Sequence, residues 1–255
     1  MAITVSVPGY ARVRVNGARG LVAESCKDTI EAILGAETLY AYAGRQPDAR
    51  RFRGRATAYG ITLGGGCGNV VVRHAMRGGL LGRTGSDLFF PPTRGLRELV
   101  NSLRLKLAGI PTPDVVAIVS YPAGPVLRRS DIATREIPES HDLSIVLREV
   151  EAGEHRDSCL AATGKLLGSL ARAGAHHPDL NARNVLIAWD NDIGARAFVL
   201  DVDRIRFHVP GDPMVSNANL TRLERSLAKL KELENLPLSE ADLAVLRSAT
   251  QETAE

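Results

Sequence analysis

Four polar side chains have the types and spacing needed to move a phosphoryl group onto an alcohol. His177, Asp179 and Asn184 stand as His-x-Asp-x-x-x-x-Asn in the run from His176 to Val185. About one β-hairpin later comes Leu200-Asp201-Val202-Asp203-Arg204. The transfer needs a carboxylate to take the proton of the attacking hydroxyl, and Asp179 is placed to be that base. It also needs hard oxygen ligands for divalent cations that neutralise phosphate charge, and Asn184 and Asp201 supply them. His177 is read as a brace for the loop rather than as a base, and Asn181, inside the same loop, is counted with the catalytic set. Asp203 lies on the same face as Asp201 if the segment is extended; it either supports the site or caps a turn. The bland alternative for all of these is a polar turn followed by a hairpin that ends in an acidic residue.

The elements that must position these residues follow from pattern. Residues 3–24 alternate in places and carry Asn16-Gly17, a strong hairpin dipeptide. Apolar residues at Ile30, Ile33, Leu34 and Leu39 predict one short helix within 28–43. A strand at 54–59, a glycine-rich turn at 64–68 and a strand at 69–73 follow, then a loop over 76–87. Pro91-Pro92-Thr93 precedes a helix with Leu96, Leu99, Val100, Leu103 and Leu107 as its predicted core stripe, stopped by Gly109. Asp114–Tyr121 reads as a strand of β-branched residues. Pro122-Ala-Gly-Pro125 is the predicted hinge, giving a strand-rich part over 1–124 and a mainly helical part over 125–255 of one overall domain. The second part holds amphipathic helices over 157–173 and 216–231, the hairpin 185–200 between them, and one more helix over 238–246.

The chain has 255 residues, 44% hydrophobic and 24% charged, as expected of a globular protein with one large core or two lobes. The net charge is only +3. Its basic residues are mostly arginine, the residue suited to gripping phosphate bidentately; coding bias in a GC-rich genome would raise arginine as well. Cys26, Cys67 and Cys159 form no pair or metal spacing, so three free thiols in a reducing compartment are expected. The first 14 residues lack an apolar core and meet Arg12 and Arg14 early, unlike a signal peptide. No run approaches the ~18 apolar residues of a membrane span. A cytosolic protein, at most peripheral to a membrane, is expected. Nucleic-acid binding has no motif behind it beyond scattered arginines.

Several runs together resemble the 3-deoxy-D-manno-octulosonic acid (Kdo) kinases, the lipopolysaccharide branch of the protein-kinase-like superfamily. They are Val71-Val-Arg-His-Ala-Met-Arg-Gly-Gly-Leu-Leu-Gly-Arg83, Glu98 with Ala108-Gly-Ile-Pro-Thr-Pro113, His177–Asn184, Leu200–Arg204 and Asn219–Ser226. The resemblance spans about residues 54–231. It implies an α+β, two-lobed protein-kinase-like fold with a β-rich first lobe and a mainly helical second lobe. It implies ATP and Mg²⁺ as cofactors, and a hydroxyl of the Kdo sugar of a lipid A precursor as acceptor, met at the cytosolic face of an anionic inner membrane. Val202 and Asp203 stand where protein kinases carry Phe and Gly, so a Phe switch is not assumed; the lipopolysaccharide branch carries Asp-x-Asp.

By the same resemblance, Arg73 takes the place of the strand lysine that grips the α- and β-phosphates, with Glu98 as its helix partner. On a helical wheel Glu98 lies roughly opposite the Leu96, Leu99 and Leu103 stripe, where a Glu is usually solvated; Leu105 beside it hints at a second buried side. Gly54, Arg55, Ala56 and Thr57 are read as the phosphate-covering segment, because small residues let backbone N–H groups approach phosphate oxygens. Leu63-Gly-Gly-Gly-Cys-Gly68 competes for that role, but chain order makes it a hairpin turn. Arg77, Arg83, Arg94 and Arg97 could hold an anionic glycolipid or leaflet, or be a solvated basic surface. Two rivals remain open: a heptose or other small-molecule kinase on the same fold, and a non-catalytic kinase-like module that only binds nucleotide or glycolipid.

Overall fold

The structure, a computed structural model, describes residues 7–52, 57–75, 94–124, 127–190 and 194–254. The chain divides into two compact units, residues 1–99 with 114–136, and residues 100–113 with 137–255.

The first unit is built on a seven-stranded sheet in the order β1-β2-β6-β7-β5-β4-β3. The strands are β1 (Tyr10–Val15), β2 (Ala18–Ala23), β3 (Arg50–Phe52), β4 (Ala58–Leu63), β5 (Gly68–His74), β6 (Val115–Pro122) and β7 (Arg128–Arg135), and every pairing is antiparallel. Asn16 and Gly17 both take positive φ, as the tight β1–β2 hairpin requires. The single helix expected over 28–43 is two, α1 (Lys27–Ala36) and α2 (Leu39–Arg45). Thr38 causes the break, because its hydroxyl accepts from the backbone N–H of Ala41 and caps a new helix. Asp131, fully buried on β7, accepts the N–H of Tyr40, and the Tyr121 hydroxyl accepts the N–H of Leu39. The sheet thereby satisfies the orphan donors at the start of α2. Ile30, Leu39, Ile61, Val70, Val72 and Val119 share the apolar core beneath.

Two expectations are corrected here. Cys26 and Cys67 are joined in a disulfide across 41 residues, and only Cys159 is a free, buried thiol. The turn between β4 and β5, with Gly65, Gly66 and Gly68 at positive φ, carries Cys67 to the start of α1. The odd cysteine count therefore says nothing about a reducing compartment. The segment 122–125 is not a boundary between units. Pro122 pairs with Arg128, so it lies in the connection of the β6–β7 hairpin, and the first unit continues to Glu136.

The division between units falls within α3 (Arg94–Leu107), whose buried residues are Gly95, Glu98, Leu99, Ser102 and Leu105. Of the expected stripe only Leu99 is fully covered, while Val100 and Leu107 are exposed. Polar partners turn the helix this way: Glu98 has a cation opposite it, and the Ser102 hydroxyl donates to the Pro113 carbonyl.

The second unit holds α4 (Leu143–Glu149), α5 (Glu154–Arg172), α6 (Pro213–Glu234), α7 (Glu240–Ala254) and a three-stranded sheet, β11 (Gly194–Val199), β10 (Val185–Asp190) and β8 (Ser140–Asp142), on which α4 and α5 pack. A two-stranded ladder joins β9 (Ala175–His176) to β12 (Arg206–Phe207). Gly164 and Gly168 let α5 lie directly on α7: a Cβ at Gly164 would sit 2.6 Å from the Leu246 carbonyl oxygen and 2.7 Å from the Ala249 Cβ. Gly164→Val is expected to destabilise by about 1–3 kcal/mol through overpacking, read as a lower urea midpoint. An unchanged midpoint would mean that the two helices part without cost.

Candidate active site

Backbone hydrogen bonds and one histidine build the loop that carries Asp179. The Leu180 N–H donates to the His177 carbonyl at 3.1 Å, and the Asn184 N–H to the Asn181 carbonyl at 2.9 Å, which folds 182–184 into a short helical turn. The side-chain amides of Asn181 and Asn184 both donate to the Asp179 carbonyl, at 2.8 and 3.0 Å. Asn181 also accepts from the Arg183 N–H through its Oδ1. Both polar atoms of Asn181 are therefore engaged with the main chain, so the residue shapes the loop. Asn184 donates through Nδ2, so its Oδ1 is the atom that would face a cation.

His177 is fully buried and ties this loop to the Asp201 segment. Its Nδ1 accepts from the Asp179 N–H at 3.3 Å, and its Nε2 lies 2.9 Å from the Leu200 carbonyl oxygen. That pattern requires the neutral ring with its proton on Nε2. The Leu200 N–H in turn donates to the Asn184 carbonyl at 2.9 Å. The residues read as base and metal ligands are thus brought together by two hydrogen bonds to one residue, Leu200. Asp201 takes a left-handed backbone, φ 52°, which Asp tolerates better than most side chains.

Burial holds the His177 imidazole below its ordinary range, against the raising effect of its bond to Leu200 and of Asp201 and Asp179. A histidine held neutral in the fold costs stability once the unfolded chain can take up the proton. Stability, and the loop geometry with it, is expected to be full above pH about 6.5 and to fall as the pH drops below that value. Denaturant midpoints of wild type and His177→Gln between pH 8 and pH 5 would test this, and parallel pH curves would count against it.

Sequence reasoning missed three residues. The Asn219 side chain accepts from the His177 N–H and donates to the Ala175 carbonyl, each at 2.9 Å. It lies in the buried stripe Val215, Asn219, Leu223 and Leu227, and a polar residue in such a stripe is a legible signal, because buried amides must find partners. Arg204 pairs with the Asp179 carboxylate. Arg222 donates to the Pro178 carbonyl at 3.1 Å and comes within 3.9 Å of Asp179. Both arginines lie in runs that resemble the family, but spacing alone gave neither a role.

In the first unit, Arg73 on β5 donates to both carboxylate oxygens of Glu98, at 2.6 and 2.7 Å. Glu98 is 4% exposed, so it is not the solvated face that the wheel implied. Thr57 accepts from the Tyr40 hydroxyl through its carbonyl. Gly54, Arg55, Ala56, Arg77 and Arg83, and the side chain of Arg94, lie outside the described residues.

The chemistry of the two residues would fit Mg²⁺: Asn184 would offer an amide oxygen and Asp201 a carboxylate oxygen. Among the described residues no group of three or more His, Cys, Asp or Glu could hold a metal ion. A small hard cation held by one or two carboxylates completes its shell with phosphate oxygens and water.

Residues 49–249 match the Lipopolysaccharide kinase (Kdo/WaaP) family. The chain belongs to this family. As a lipopolysaccharide kinase family member it is a phosphotransferase. Its relatives include the 3-deoxy-D-manno-octulosonic acid kinase of Vibrio parahaemolyticus serotype O3:K6 (strain RIMD 2210633), 30% identical over 200 residues, 77% of this chain and 79% of that one. The enzyme of the same name from Stenotrophomonas maltophilia (strain K279a) is 33% identical over 189 residues, 71% of either chain. Among solved structures, WaaP in complex with acyl carrier protein matches with a TM-score of 0.59 at 17% identity, covering 92% of this chain and 89% of that one. That likeness is one of fold, and it bears out the α+β, kinase-like reading.

Proposed function

We propose that this lipopolysaccharide kinase transfers the γ-phosphoryl group of ATP, with Mg²⁺, to a hydroxyl of the Kdo sugar of a lipid A precursor. The observation that carries the reading is the hydrogen-bonded tie through Leu200, which holds the Asp179 loop, Asn184 and Asp201 together as one unit. Asp179 takes the proton of the acceptor hydroxyl and orients its oxygen. Asn184 and Asp201 would hold the cation, which would supply neutralisation of phosphate charge. Arg73, fixed by Glu98, meets the α- and β-phosphates with a planar head in place of an ammonium. His177, Asn181 and Asn219 keep the loop in shape. Positioning and charge neutralisation are enough, because the loose transition state of phosphoryl transfer needs little covalent help.

The acceptor of such an enzyme is a glycolipid, so contact with an anionic leaflet is part of the proposal. Among the described residues no helix is long and apolar enough to cross a membrane, and contact through the exposed Arg97 suits a peripheral encounter. Radiolabel transfer from [γ-³²P]ATP to a Kdo-bearing lipid A precursor tests the reading. Mg²⁺-dependent label on the glycolipid is expected. ATP turnover without label on any Kdo-bearing acceptor would overturn the choice of sugar.

A further inference from the structure

Beside the catalytic loop lies a pocket of about 360 Å³ whose lining includes His176 and Pro178 on one side and Asn217, Thr221, Arg222 and Arg225 of α6 on the other. The helix residues stand at i, i+4, i+5 and i+8 and so form one face of α6. His176 and Pro178 bracket His177 in the chain, and Pro178 precedes Asp179. Arg222 lines the pocket while it holds the Pro178 carbonyl and lies 3.9 Å from Asp179. The pocket therefore opens beside the group read as the base.

Its charge is one-sided. Two arginines and a histidine line it and, among the described residues, no acidic one does. The nearest acid in sequence on α6, Glu224, is engaged by Arg247 at 2.7 Å. Arg225 is exposed and has no hydrogen-bond or ion-pair partner among the described residues. Across the β9–β12 ladder, Arg206 pairs with His176, and the His208 ring stands 5.8 Å from the His176 ring. Burial, then His208, Arg206 and His177, push the His176 imidazole below its ordinary range, as a locally positive field should. Thr221 and Asn217 add neutral hydrogen-bonding groups, the mix that suits a hydroxylated ligand bearing an anion.

We propose that this pocket is the acceptor subsite, in which Arg225 and Arg222 grip an acidic group of the glycolipid while one of its hydroxyls is presented to Asp179. The inference rests on the proposed function and adds the place where the acceptor is recognised. The shared chemistry is an oxyanion, which is either the carboxylate of the sugar acid or a phosphate of the lipid A backbone.

Arg225→Ala is expected to raise the acceptor KM by about 10- to 100-fold, the cost of losing charge-assisted hydrogen bonds. kcat at saturating acceptor should move by less than about threefold, since the interaction is made equally in ground and transition states. Arg225→Lys should recover part of the affinity. Lys165→Ala, on the exposed face of α5, controls for net charge. Two modified acceptors identify the anion: one with the Kdo carboxylate as its methyl ester, one with the backbone phosphates removed. The modification that raises the wild-type KM, with no further penalty in Arg225→Ala, names the group in the pocket. An acceptor KM equal in wild type and Arg225→Ala overturns the proposal. If the wild type labels no Kdo-bearing lipid, titration of free Kdo and of inorganic phosphate into both proteins decides the pocket separately. Anion binding lost in Arg225→Ala sustains the pocket although the sugar was misjudged; equal or absent binding overturns it.

Discussion

Asp179→Asn is expected to lower phosphoryl transfer to the Kdo acceptor by about 10²–10⁴-fold, the range for a general base. The substitution keeps the shape of the side chain and removes only its charge and its ability to take a proton. The loop should survive, because its frame does not use the Asp179 carboxylate. Asn181 and Asn184 bond to the Asp179 carbonyl, and His177 bonds to its N–H. The carboxylate itself pairs with Arg204, both side chains being about a third to a half exposed, and such pairs contribute about 0–1 kcal/mol. A fall in rate would therefore report chemistry rather than unfolding. Mg²⁺-dependent ATP binding, which Asn184 and Asp201 should sustain, is expected to persist in the variant. Full activity in a folded Asp179→Asn protein would remove Asp179 from the mechanism. Loss of ATP binding together with transfer would reassign Asp179 to the cation.

The loop around Asp179 was legible because its geometry is local. Residues two to five apart make the bonds that fold it upon itself, so residue type and spacing carry that part of the information. The β10–β11 hairpin and the helices α5 and α6 were legible for the same reason: each has a period and a boundary written in its own residues. What escaped depends on long-range partners. The Cys26–Cys67 bond spans 41 residues and exists because a glycine turn and a helix start meet in space. The buried face of α3 follows Glu98 and Ser102, whose partners lie on other elements, so a leucine stripe pointed the wrong way. The segment 122–125 looked like a hinge because proline and glycine mark any turn, and a hairpin connection uses the same residues as a linker. Arg204 and Arg222 lay in runs that resembled the family, but neither had a role until the fold set them beside Asp179.

The largest stability effect expected outside the site is at Arg156. This residue of α5 is 3% exposed and saturates its guanidinium. Nε and one Nη meet the two oxygens of Asp242 at 2.9 and 3.1 Å. The other Nη meets the carbonyls of Leu147 and Val150 at 2.7 and 2.9 Å, and the Pro237 carbonyl takes a further bond. Asp242 also accepts from the Ser239 N–H while the Ser239 hydroxyl accepts from the Asp242 N–H, a reciprocal cap at the start of α7. One cation thus joins the end of α4, α5 and the start of α7. Arg156→Leu would leave three carbonyls and a buried carboxylate without that donor, and a loss of about 3–5 kcal/mol is expected in urea unfolding. Removing Asp242 as well, as Arg156→Leu with Asp242→Leu, should restore part of it, because an unpaired buried charge costs more than an apolar pair. The pH dependence supplies an independent check. Burial alone would raise the Asp242 carboxyl, but hydrogen bonds from Arg156 and Ser239 outweigh it and hold it below the usual carboxylate range. Its contribution is therefore complete above the unfolded value of about pH 4 and is lost as the pH falls through the lower folded value. In Arg156→Leu the carboxyl no longer has its cation, protonation relieves it, and the gap to wild type should narrow on acidification. A gap that stays constant from pH 7 to pH 4 would show that the lost stability lies in the carbonyl bonds and not in the ion pair.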